Sequence, residues 1–299
     1  MARLHLIDGT LELFRAHFSP RPGHTARDGG DAKASVAFAA QLLALRGDVE
    51  ERPTHAAIAF DNPIRSFRND LFAGYKSDDG VPLELRSQFD RVEKIARALG
   101  FVVWSFPDFE ADDALASGAK RYAPSFEQVR ILSSDKDLGP CLDVGVGGNV
   151  ILVDRIGKRL VDAAAVFEAR GVKPSQIPDF LALVGDSADG IPGLKGFGAK
   201  GAAALLGRYP TLEDVPFAAG ETWDVKVRGA EKLFATFASG RADALLYKTL
   251  ATLRWDVPLT EAAEELALGP VDVPALEAIA AELAAPKLVE RALKVVPAT

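Results

Sequence analysis

Acidic residues of this 299-residue chain gather in five places where a strand or a turn would present them: Asp8; Asp61; Glu110, Asp112 and Asp113; Asp135 and Asp137; Asp186 and Asp189. Asp8 follows the apolar run RLHLI, Asp61 follows HAAIAF, and Asp135 and Asp137 lie in SSDKDL just after VRIL. In a parallel sheet such strand ends meet at one edge. Carboxylates brought together there repel by several kcal/mol unless cations or donors offset the charge. With no His or Cys at these positions, the oxygen-only set selects Mg²⁺ or Mn²⁺ over zinc. There are ligands for two ions, the arrangement for in-line hydrolysis of a phosphodiester, one ion activating water and the other steadying the leaving oxygen. Each acid alone also has a plainer reading. Asp8 suits a helix N-cap, and Asp112 or Asp113 singly suits the first turn of a helix.

A second chemistry lies beside the last acidic pair. From Val184 to Leu206 the chain reads VGDSADGIPGLKGFGAKGAAALL. The glycines Gly193, Gly196 and Gly198 lead into a helix expected near Ala199. Backbone amides of such a hairpin, and the positive end of the helix, can hold a nucleic-acid phosphate, with Lys195 and Lys200 adding charge. A glycine turn before an Ala-rich helix also occurs without any ligand. Between the second and third acidic groups runs NPIRSFRNDLFAGYKSDDGVP. Here Arg65, Arg68, Tyr75 and Lys76 could contact phosphates and stack on a base, the alternative being a solvated amphipathic helix.

The elements needed to position these residues are legible. Strands are expected at 3–7, 55–60, 101–105, 129–132 and 150–153. Helices are expected after Gly9, over 32–46, over 82–99, from Val161 and over 177–184. The segment 19–31 reads as a loop, and beyond Pro210 the chain is helical. Strands alternating with helices predict an α/β domain with a mostly parallel sheet. We expect an α/β core over 1–172 and a helical part over 173–299, with the glycine hairpin at about 184–207.

Composition sets outer bounds. With 48% hydrophobic residues the chain reads as soluble and globular, no stretch is long enough to span a bilayer, and the amino terminus lacks a cleavable leader pattern. The lone Cys141 excludes an internal disulfide and a zinc-cysteine scaffold, and suits a cytoplasmic protein. A net charge of −7 argues at face value against a polyanionic partner, but two bound divalent ions would leave −3.

The order of motifs, LIDG, FD, SFR, GYK, FEADD, SSDKDL, GDSADGIPG and GFGAK, resembles that of the 5'-nuclease family, meaning flap endonucleases and the 5'-3' exonuclease domain of bacterial DNA polymerase I. The likeness is greater to the bacterial exonuclease domain, expected here without a polymerase module. The resemblance implies a PIN-like α/β fold and hydrolysis of DNA at a 5' end, flap or nick by a monomeric enzyme, and leaves open whether an RNA–DNA primer is also accepted. It implies that Asp8, Asp61, Glu110, Asp112 and Asp113 surround one ion, and that Asp135, Asp137, Asp186 and Asp189 surround a second. It also implies an arch at about 64–90 whose Lys76 reaches the scissile phosphate beside Tyr75, with Arg65 and Arg68 positioning that phosphate. Gly190–Leu206 would be a helix-hairpin-helix that grips duplex DNA and holds K⁺ through carbonyls. Asp79 stands where many relatives carry Arg, Ala188 and Gly190 where Ser and Asn are usual, and Gly201 where Thr is usual. A haloacid-dehalogenase-like phosphatase is an alternative suggested by IDGTL, but its nucleophilic Asp would fall at Leu6. A non-catalytic DNA-binding module of the same fold is the other alternative.

Overall fold

The computed structural model describes residues 2–51 and 53–295. The chain runs β1 (Arg3–Asp8), α1 (Gly9–Phe18), α2 (Lys33–Arg46), β2 (His55–Phe60), α3 (Arg68–Leu71), α4 (Leu83–Arg86), α5 (Phe89–Ala98), β3 (Val102–Ser105) and α6 (Ala111–Tyr122). It continues with β4 (Gln128–Leu132), β5 (Val150–Asp154), β6 (Arg159–Val161), α7 (Ala163–Arg170), α8 (Ile177–Val184), α9 (Ala199–Arg208), α10 (Ala230–Ala251), α11 (Val273–Glu282) and α12 (Lys287–Lys294). The strands form a sheet in the order β3-β2-β1-β4-β5-β6, parallel except for β6, which runs antiparallel to β5.

Apolar runs such as LHLI and AAIAF belong in parallel strands covered on both faces. Alternation sends Leu4, Leu6, Ala57 and Ala59 into one core with α6, α8, α9 and α10. It sends Ile7, Ile58 and Phe60 into the other with α2, α5, α11 and α12. The last helices thus return to the first half of the chain. Among the described residues no helix is long and apolar enough to cross a membrane.

Two local expectations are corrected. The helix expected over 82–99 is broken at Ser87 and Gln88, because the buried Gln88 turns its amide inward, accepting from the Ser35 N–H (2.9 Å) and hydroxyl (2.8 Å). Val161 ends a strand instead of starting a helix. The turn after β5 folds Arg159–Val161 back along it. Asp162 then caps α7, its carboxylate accepting from Ala165 N at 2.9 Å.

Candidate active site

Strand order reverses direction between β1 and β4, and the crevice at such a switch point, beyond the carboxyl ends of the strands, is where open α/β sheets place their sites. Asp8 ends β1 there. One of its oxygens accepts from Leu11 N (2.8 Å) and caps α1, while the other accepts from the Ser133 hydroxyl (2.9 Å) just past β4. Asp8 is thus an N-cap that also stands at the carboxyl edge of the sheet. Asp61, just past β2, accepts from Ala111 N at the start of α6 (2.7 Å), and its own N–H donates to Thr10 Oγ1 (2.8 Å). Asp135 accepts from Asp137 N (2.8 Å), and its N–H donates to Ser133 Oγ (3.0 Å).

Electrostatics shows which acids share a space. Asp8 is pushed up to about 7, by burial first and also by the charges of Asp61 and Asp135, against the hydrogen bonds from Leu11 and Ser133. Asp112 is raised well above the usual carboxylate range by burial and by Asp135, Asp8 and Asp61. Burial also raises Asp61, assisted by Glu110. On the far side, Asp137 is pushed up to about 8 by burial, Asp135, Asp186 and Asp189. Asp135 is thus felt by both groups and marks where they meet.

The second acidic pair arrives on the turn after α8. Asp186 and Ile191 pair as a small antiparallel bridge (2.7 and 2.8 Å), and the Asp186 carboxylate accepts from Ala188 N (2.7 Å). The hairpin 193–198 follows and opens α9 at Gly198. Gly193, at φ 66°, passes so near the end of α8 that a Cβ would lie 2.4 Å from Gly185 N. Lys195 and Lys200 are exposed.

The segment expected to form an arch closes onto this turn. Lys76 N donates to the Asp189 carbonyl (3.0 Å), and Gly190 packs so tightly that a Cβ would fall 2.1 Å from Gly74 O. Gly190 is therefore required here, and Asn would not fit. Lys76 Nζ lies 2.8 Å from Glu110 and 3.0 Å from Asp189, joining the two acidic groups. Burial works against its ammonium, but Glu110, Asp189 and Asp61 hold it well above its ordinary value. Asp189 is raised all the same, because its burial outweighs the lysine. Glu110 also accepts from Ser66 (2.6 Å) and Tyr75 (3.2 Å) and lies 3.2 Å from Arg68. Burial raises its pKa, yet Lys76, Arg68 and these donors bring it down to about 2.

Other expected site residues lie outside the crevice. Asp113 is fully buried in a two-pronged pair with Arg68 (2.7 and 2.8 Å), which leaves it no oxygen for an ion. Arg68 is itself buried, its remaining N–H groups donating to the carbonyls of Leu250 (2.8 Å) and Thr252 (2.9 Å), so it does not face a phosphate. Tyr75 is buried with its hydroxyl on Glu110 and presents no face to a base. Arg65 is exposed and pairs with the exposed Asp70. The sequence reading overlooked Ser133, Thr10 and Ser66, which hold Asp8, Asp61 and Glu110, and Arg170, 3.8 Å from Asp137. Among the described residues no three acids form a closed ligand group as they stand. The acids feel one another's charge beyond the carboxyl ends of the strands, and their donors are oxygen throughout.

Fold and site together define an α/β protein with an acidic crevice at the switch point of its sheet and a helix-hairpin-helix at the crevice wall. Residues 3–171 match the 5'-3' exonuclease N-terminal resolvase-like domain, and residues 172–274 match the 5'-3' exonuclease C-terminal SAM fold. The chain belongs to the 5'-3' exonuclease family. It is 32% identical to the 5'-3' exonuclease of Aquifex aeolicus over 216 residues, 72% of each chain. It is 35% identical over 279 residues to DNA polymerase I of Rhizobium leguminosarum, covering 91% of this chain but spanning only 26% of that polymerase. The T5 D15 flap endonuclease, in a complex with DNA and metal ions, shares the fold with a TM-score of 0.60 at 18% identity, over 98% of each chain.

Proposed function

We propose that this chain hydrolyses DNA phosphodiester bonds near a 5' end or at a flap junction, with divalent metal ions held by Asp8, Asp61, Asp112, Asp135, Asp137, Asp186 and Asp189. The observation that carries this reading is the meeting of acids from separate chain segments around Asp135, with Lys76 joining their two groups. An all-oxygen donor set held in mutually repelling company fits hard divalent ions. When bound, Mg²⁺ or Mn²⁺ supplies Lewis-acid stabilisation of the charge that develops on the phosphoryl oxygens.

The chain's own residues do the rest. Ser133 and Thr10 fix two of the acids against the strand ends, so the crevice is formed before substrate arrives. Lys76 keeps its proton and exchanges its carboxylate partners for an anionic oxygen of the strand. Glu110, held by Ser66 and Tyr75, receives the ammonium again when the strand leaves. Amides of the hairpin at Gly193, Gly196 and Gly198, with the exposed Lys195 and Lys200, grip the duplex backbone, and carbonyls of the same loop offer a seat for K⁺.

An end-labelled 5'-flap duplex incubated with and without Mg²⁺ tests the proposal. Metal-dependent shortening of the labelled strand is expected. Tight binding with no product in either Mg²⁺ or Mn²⁺ would overturn it and leave a DNA-binding module.

A further inference from the structure

The acidic crevice has a neighbouring cavity. A cavity of about 480 Å³ opens between the β5–β6 hairpin and α7, within the range of about 300–1,000 Å³ typical of ligand sites. Leu152, Val161, Val166 and Ala169 form its walls. Its rim is polar and belongs in part to the acidic site, for Ser133 and Asp135 line both. The lining also includes Arg170, whose guanidinium lies 5.6 Å from the Phe180 ring centroid and 3.8 Å from Asp137. Beside it the edge strand leaves Leu160 62% exposed.

An apolar slot sharing a wall with a charged crevice suits a ligand with one apolar and one anionic part. A nucleotide in a strand has that form: a flat base with polar edges, joined through a sugar to a phosphate. With the phosphate near Asp135, the adjoining base is within reach of the slot. The aliphatic walls take its faces, and Arg170 and Ser134 offer donors and an acceptor to its edges. We propose that this cavity seats the nucleobase next to the reacting phosphate and thereby contributes to substrate selection. The inference rests on the nuclease reading above and deepens it.

Flap substrates carrying a single abasic residue on either side of the cleaved bond, compared with the intact strand, provide the test. For the parent protein the intact substrate should have a kcat/KM about tenfold higher than the abasic one at one of the two positions, a loss in keeping with removing one seated base. Ala169→Trp fills the slot from an exposed position and should bring that ratio close to one. Ala165→Phe, from a second lining position, should do the same. A ratio of one in the parent, or a ratio that both variants leave intact, would overturn the inference and mark the slot as packing space or a protein contact. Failure of the parent to cleave any substrate would refute the nuclease reading and this inference with it.

Discussion

The two ends of the central sheet handle charge in opposite ways. At the amino-terminal end, Glu51 stands between His5 and Arg130, 3.1 Å from His5 Nε2 and 2.8 Å from Arg130 Nε. Arg3 donates to the carbonyls of Glu50 and Glu51. The Glu51 carboxylate is compensated there, for the hydrogen bond from His5, with Arg130, brings it down to about 2. At the carboxyl-terminal end, burial and the charge of Asp135 push up Asp8, Asp112 and Asp137, and Lys76 is shared between Glu110 and Asp189. The same strands thus carry a neutralised cluster that can only stabilise and an under-compensated one that stores repulsion. Clustering of perturbed acids of that kind is typical of functional sites.

Breaking the carboxyl-terminal end should produce the largest effect. Asp135→Ala is expected to lower turnover on a 5'-flap substrate by about a thousandfold or more, because it faces both acidic groups. The metal-free variant loses the cap on Asp137 N but also a charge that repels Asp8, Asp112 and Asp137, so it should melt close to the parent. Unchanged turnover, or a clear drop in melting temperature, would place Asp135 among the structural acids.

Arg68 is an exception inside that end, and testing it sharpens the contrast. Arg68→Ala strands the buried Asp113 and frees two carbonyls of the α10 terminus, so about 3–5 kcal/mol of stability should go. Lysine at that place keeps the charge but cannot reproduce the fork, and should recover only part. Urea unfolding of the three proteins decides the matter; parent-like stability with altered DNA affinity would return Arg68 to the phosphate.

At the other end the loss should be smaller and purely structural. Glu51→Gln leaves Arg130 with a neutral acceptor, which should cost about 1–3 kcal/mol of unfolding free energy while kcat on the flap substrate stays at the parent value. A variant that folds as well as the parent but cleaves slowly would show that the two ends are not separable.

Much of this division was legible in the sequence. Strand ends carrying Asp8, Asp61 and Asp135 follow from apolar runs broken by an acid, and a parallel sheet must bring them to one edge. Roles that depend on distant partners were not legible. Arg68 is a base in a polar stretch until the carbonyl of Leu250, 182 residues on, is seen to accept from it. Asp112 and Asp113 are neighbours in sequence, but successive helical residues point about 100° apart, so one faces the crevice and the other turns inward. Ser133 becomes visible only through register: pairing of Ile7 with Leu132 sets Asp8 beside the residue just past β4. The strand β6 is three residues long and carries no pattern by which to distinguish it from a helix start.

The smallest expected effect is a pH dependence confined to the amino-terminal cluster. Burial lowers the pKa of His5 below its ordinary 6.5, despite Glu51, so the folded chain resists the proton that the unfolded chain accepts. Its contribution is therefore complete above 6.5 and is lost as pH falls below that value. Glu51 acts over a lower window. With a folded value of about 2 against an ordinary 4.5, its stabilisation is present above 4.5 and disappears as pH falls toward 2. Subtracting the unfolding curve of a variant from that of the parent removes every group the two share, including the acids of the crevice. The parent's advantage over Glu51→Gln should shrink between pH 4.5 and about 2, by at most about 1.4 kcal/mol per pH unit. Relative to His5→Gln, the parent should lose ground already as pH drops below 6.5. Difference curves that stay flat across both windows would mean that this cluster contributes packing alone, and that charge is managed at only one end of the sheet.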